Sequence, residues 1–171
     1  MRAIGFDPGT AATGWGVVER TDGRLKHVAH GVITTGAREP MPARLLTLYD
    51  SVTALLARYQ PTMVCVERLF FKQNVTNGIT VAQARGVILL AAARQGLHIG
   101  EFSPTEAKTA VTGYGRADKH QMQEMTRILL SLEERPRPDD AADALALAIC
   151  ILQNRCGLPH QTVRDARKDR P

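Results

Sequence analysis

Three places in this sequence put carboxylates where a buried chain has little use for them. Residues 3–6, Ala-Ile-Gly-Phe, read as a strand covered on both faces, and they run straight into Asp7, Pro8 and Gly9. Met63-Val64-Cys65-Val66 repeats the pattern and ends in Glu67. An unpaired charge at the end of a core strand is costly. Asp7 therefore either opens a turn, as Asp, Pro and Gly favour, or holds a cation at a site that Pro8 and Gly9 leave open. The third place is Asp139, Asp140 and Asp143, ahead of the apolar run Ala144–Leu152. On a helix, Asp140 and Asp143 lie about 60° apart beside the stripe of Ala141, Leu145, Ala148, Ile149 and Leu152. Acids at a helix start are also favoured simply by the helix dipole.

Each acid has a plain explanation alone, but together they have a more economical one. Two strand ends and one helix start can converge, and clustered carboxylates repel one another unless a cation neutralises them. Hard oxygen donors without histidine or cysteine at matching spacing favour Mg²⁺ or Mn²⁺. Four such acids suit two ions, which activate water and stabilise a leaving oxygen in phosphodiester cleavage. The chain carries a net charge of +5, which suits a polyanionic partner.

The elements that must position these residues can be read from pattern. Strand-like segments cover 2–7, 13–20 and 27–34, and Thr21-Asp22-Gly23-Arg24 carries a hairpin signal. Leu45, Leu48, Val52, Leu55, Leu56 and Tyr59 share one helical face, closed by Pro61. A short buried strand, 62–66, leads to Glu67. A second helix fits 76–95, where Ala82, Ala84, Gly86 and Ala91 to Ala93 permit close approach of another helix, including one from a second subunit. Leu97–Phe102 is the last strand. Ser103-Pro104-Thr105-Glu106 and Asp118–Gln121 form capping boxes. Pro138 opens a final helix reaching about Gln153. This order predicts an α/β fold with a mixed sheet: antiparallel strands extended by parallel ones.

The bulk numbers agree. With 171 residues and 44% hydrophobic content, the chain suits one globular domain. No apolar run is long enough to span a bilayer, and the N-terminus does not resemble a signal peptide. Cys65, Cys150 and Cys156 lack CxxC spacing, against a disulfide framework or zinc site. A cytoplasmic protein is expected. Beyond a domain at 1–155, residues 156–171 read as a basic, mobile tail.

FDPGTAATGWGVV, VCVERLFFKQN, AQARGV and DDAADALALA, in this order and spacing, closely resemble the RuvC-type Holliday-junction resolvases of bacteria. The resemblance implies an RNase H-like fold with a five-stranded mixed sheet flanked by helices, a homodimer, and a two-metal site at Asp7, Glu67, Asp140 and Asp143. It implies four-way junction DNA as substrate, cut by paired nicks in homologous recombination and repair. Branch-migration proteins of the RuvA and RuvB kind are the implied partners. Phe70 resembles the family's junction-stacking aromatic, although either Phe70 or Phe71 could instead pack beneath its loop. Arg68 and Lys72 are phosphate-contact candidates from the same loop. Lys108 and Lys119 match family lysines near the scissile phosphate. Asp139, directly before the matching DAAD, is an additional acid.

Three other classes fit this sequence less well. The opening stretch also resembles the phosphate loop of sugar kinases and actin-like ATPases, but that fold repeats its core in two domains, too much for this length. A non-catalytic junction-binding module leaves the four acids without a purpose. Another RNase H-like nuclease, acting on hybrids or duplex ends, is the nearest enzyme alternative.

Overall fold

The computed structural model describes residues 1–68 and 75–153. Three strands open the chain, β1 (Arg2–Asp7), β2 (Ala12–Thr21) and β3 (Arg24–Thr34). Helix α1 (Met41–Tyr59), β4 (Met63–Glu67), α2 (Val75–Arg94) and β5 (His98–Phe102) follow. The last three elements are helices α3 (Pro104–Thr112), α4 (Lys119–Leu129) and α5 (Asp139–Gln153). The sheet order is β3-β2-β1-β4-β5. Pairing is antiparallel from β1 through β2 to β3 and parallel from β1 through β4 to β5, the mixed sheet that the element order predicts.

The β2–β3 connection is the expected two-residue hairpin. Asp22 and Gly23 both have positive φ, 52° and 78°, the twist that joins antiparallel strands tightly. The ladder continues to Thr21 opposite Arg24, so β3 starts three residues before the predicted strand. Charged Arg24 and Lys26 disguise it, and pairing overrides their low strand propensity. A bulge opposite Val17 and Val18 adds a residue to β3 and breaks its alternation.

Apolar side chains fill both faces of the sheet. On one face Ile4, Phe6, Val17, Val64 and Val66 pack with Leu48, Val52 and Leu56 of α1 and Ala84 and Ile88 of α2. On the other, Ala3, Val18 and Cys65 meet Ala107, Val111, Met122 and the run Leu145–Leu152 of α5. Both predicted capping boxes form: Ser103 with Glu106 starts α3, and Asp118 with Gln121 starts α4. These fix the helix starts that carry Lys108 and Lys119. Among the described residues, no helix is long and apolar enough to cross a membrane.

Candidate active site

The site begins with strand register. Phe6 lies beside Val66 in the parallel β1–β4 pair, so Asp7 and Glu67, one residue further along, end neighbouring strands at the same edge. Alternation along a strand decides their face. Phe6 and Val66 belong to the core under α1 and α2, so the two acids turn to the opposite face, the one α5 covers. Carboxyl ends of parallel strands are where open α/β sheets hold their ligands.

Helix α5 meets that face at close range. A Cβ at Gly14 would stand 2.0 Å from the carbonyl oxygen of Asp140, and one at Gly5 would stand 2.0 Å from that of Ala144. Only residues without side chains let the helix settle there. Gly14 pairs with Asp7 across the β1–β2 ladder, so the contact that admits α5 also carries its first turn to the end of β1.

A cleft of about 220 Å³ results, lined by Asp7, Glu67, Asp143, Lys108 and Lys119, with Met122 and Leu147 in its apolar wall. Asp140 instead borders a second hollow of about 720 Å³ together with Gln123, Arg135, Arg137, Pro138 and Asp139. Its charge still acts on both Asp7 and Asp143. Burial, then the charges of Glu67, Asp143 and Asp140, push the Asp7 carboxyl from 3.8 up to about 7 against the lowering pull of Lys119. Burial and Asp143 raise Glu67. Burial also raises Asp143, partly offset by Lys119.

Lys119 binds the acid that the family pattern leaves over. Its Nζ lies 2.9 Å from Asp139 and 4.0 Å from Asp143. Gln123 Nε2 also donates to Asp139 at 2.8 Å. These two bonds hold the Asp139 carboxyl below its ordinary range, whereas its partners in the cleft are raised. Gln123 was not legible as a site neighbour in the sequence, because its only signal is a position one turn after Lys119 on α4.

Arg68 leaves the end of β4 already engaged. Its N–H donates to Phe102 O at 2.8 Å, its Nη2 to Glu101 O at 3.2 Å, and its Nη1 lies 3.7 Å from Glu106. The guanidinium therefore steadies the backbone beside Glu67 and remains half exposed. Phe70, Phe71 and Lys72 lie outside the described residues, as does the tail expected at 156–171.

The donor set can be tested for a metal on its chemistry. Among the described residues, no three Asp, Glu, His or Cys side chains form a ready-made ligand cage; the acids line the walls of an open cleft. Those walls offer only carboxylate oxygens, partly withdrawn from water and mutually repelling, with Lys119 as their partial counter-charge. Hard divalent ions fit such a set, and soft metals do not.

A family model, curated relatives and solved structures all match this chain. Residues 3–151 match the family model described as crossover junction endodeoxyribonuclease RuvC. The proteins of that name from Chloroflexus aggregans and Heliobacterium modesticaldum are 58% and 54% identical over 150 residues, 88% of this chain and 92% and 93% of theirs. Among solved structures, Thermus thermophilus RuvC in complex with a Holliday junction substrate superposes with a TM-score of 0.85 at 33% identity, covering 90% of this chain and 93% of that one.

Proposed function

Because the chain belongs to the crossover junction endodeoxyribonuclease RuvC family, we propose that it resolves four-way DNA junctions by metal-dependent phosphodiester hydrolysis. The observation that carries this reading is one cleft in which Asp7, Glu67 and Asp143 face Lys108 and Lys119. Acids and lysines have opposite tasks there. The carboxylates hold the metal, and the lysines take the non-bridging oxygens of the phosphate to be cut.

Family membership implies a divalent metal, and carboxylate oxygens favour Mg²⁺, with Mn²⁺ as a substitute. Asp7, Glu67, Asp140 and Asp143 would hold two ions. When bound, they supply activation of the attacking water and stabilisation of the leaving oxygen. The protein's own part is to position and desolvate. The Gly14 contact fixes Asp140 against β1, Arg68 steadies the backbone behind Glu67, and Met122 and Leu147 keep one side of the cleft dry. Arg68 and Lys72 would contact phosphates beside the cleft, and Phe70 or Phe71 would engage the junction bases. The assay that tests the reading offers labelled four-way junction, linear duplex and RNA–DNA hybrid, each with Mg²⁺ or EDTA. Cutting confined to the junction in Mg²⁺ supports it; equal cutting of hybrid or duplex would assign a different nuclease activity.

A two-fold substrate cut in pairs calls for a symmetric dimer. Ile79, Gly86 and Leu90 fall within about 40° of one another on α2. Ile79 and Leu90 are each 55% exposed, and a Cβ at Gly86 would meet nothing within 4 Å. A glycine inside a helix costs about 1 kcal/mol relative to alanine, and nothing among the described residues of the single chain requires it. A second copy approaching along this face would. Gly86→Gln is therefore expected to leave the fold intact, turn a sedimenting dimer into a monomer and replace paired nicks by single ones. An undisturbed dimer would move the interface away from this face. Branch-migration proteins of the RuvA and RuvB kind are the proposed partners, and the cytoplasm, with the chromosome, is the proposed place of action.

A further inference from the structure

The turn between α3 and α4, residues 113–118, has no role in the site described so far, yet it joins the two helices that carry Lys108 and Lys119. It is unusually well anchored. Gly113 takes the left-handed conformation, φ 76°, and its N–H donates to Thr109 O at 2.9 Å. The Thr112 hydroxyl accepts from Tyr114 N–H at 3.1 Å and lies 2.8 Å from Lys108 O, tying the turn to the backbone of the cleft lysine. A Cβ at Gly115 would press on Thr105 and Thr109 at 3.1 Å, so this residue lies flat on α3. Ala117 N–H donates to Tyr114 O at 3.1 Å, and Ala117 is 1% exposed.

On this support stand two side chains with no packing or pairing role among the described residues. Tyr114 is 57% exposed, although an aromatic ring gains most from burial. Arg116 is exposed, and among the described residues no ion pair engages it. From Lys108 to Thr112 the helix rises about 6 Å, and two further residues add at most about 7 Å. The Tyr114 backbone is therefore held within about 13 Å, roughly two nucleotide spacings, of the Lys108 backbone. An aromatic platform beside an uncommitted guanidinium and two lysines is the combination that binds a nucleic-acid strand by phosphate contact and stacking.

Resting on the junction-cutting reading above, we propose that the 113–118 turn is a second DNA-contact element. Arg116 takes a backbone phosphate, and the Tyr114 ring packs on the sugar or base next to it, one to two nucleotides from the scissile phosphate. The turn fixes the strand's register in the cleft and reads no sequence, since phosphate contacts position without specifying.

The test measures the full-length protein on a fluorescent four-way junction, with binding in EDTA over a salt series and single-turnover cleavage in Mg²⁺. Arg116→Ala is expected to weaken binding about fivefold to tenfold and to reduce the slope of log affinity against log salt by about one. Tyr114→Ala is expected to slow cleavage about tenfold, and Tyr114→Phe to restore most of the rate. Arg58→Ala, which removes an exposed charge on α1 across the sheet, is expected to leave both readouts unchanged. If wild type cuts the junction while Arg116→Ala and Tyr114→Ala match it in salt slope and rate, the turn is not a DNA contact. A wild type that cuts no junction would instead overturn the activity itself.

Discussion

Asp7→Asn is expected to abolish metal-dependent cleavage, by at least about 10²–10³-fold, while making the metal-free protein more stable. Both effects have one origin. Asp7 is withdrawn from water beside three other acids, and its carboxyl titrates at about 7 rather than 3.8. The folded state therefore prefers it protonated. Stability lost to this group grows as pH rises from about 4 and is complete above about 7. At about 1.4 kcal/mol for each tenfold change in proton affinity, the ceiling is about 4 kcal/mol. Water in an open cleft reduces the expected gain to about 1–2 kcal/mol. Melting curves check the sign: Asp7→Asn should match wild type near pH 4 and exceed it at pH 8. Mg²⁺ should raise the melting temperature of wild type more than that of the variant. A less stable Asp7→Asn at pH 8 would contradict the electrostatic account even if cleavage were lost.

The second large effect separates two adjacent acids. Asp140→Asn is expected to abolish cleavage while junction binding persists, and Asp139→Asn to cost at most a modest factor. Helical angle alone does not decide between them, since Asp139 and Asp143 are only about 40° apart on a wheel. Occupancy does. Asp139 is 59% exposed in its side chain and already holds Lys119 and Gln123. Asp140 lies where α5 meets Gly14, and its charge raises Asp7 and Asp143. Loss of Asp139 frees Lys119, which remains 4.0 Å from Asp143, so the modest cost reflects a lysine less firmly aimed. Single-turnover rates at saturating Mg²⁺ for both variants make the comparison. An inactive Asp139→Asn beside an active Asp140→Asn would shift the metal-binding acids by one residue.

Much of this site was legible from local rules. Buried strands that finish in Asp7 and Glu67 show their oddity within six residues, and parallel pairing of β1 with β4 does the rest. Capping boxes at Ser103 and Asp118 obey local chemistry and appear where expected. What stayed hidden depends on distant contacts. The placing of α5 is set by missing side chains at Gly5 and Gly14, and a glycine does not announce which helix will press on it. The Lys119–Asp139 pair joins residues on two helices that no periodicity links. The start of β3 was missed because its charges and its bulge conceal the alternation on which strand reading depends. Tyr114 gave no signal either: an aromatic in a glycine turn looks like packing until the turn is seen pinned flat beneath it.

Asp7, Glu67, Asp140 and Asp143 are proposed to form one metal-dependent centre that resolves a four-way junction symmetrically. The most direct measurement labels each strand of a mobile junction separately and follows binding and nicking together, in Mg²⁺ and in EDTA. Paired nicks at symmetric positions in two strands of like polarity are expected in Mg²⁺, and in EDTA a junction that is still bound but uncut. Undiminished cutting in EDTA, or single nicks scattered without symmetry over the four strands in Mg²⁺, would contradict that assignment.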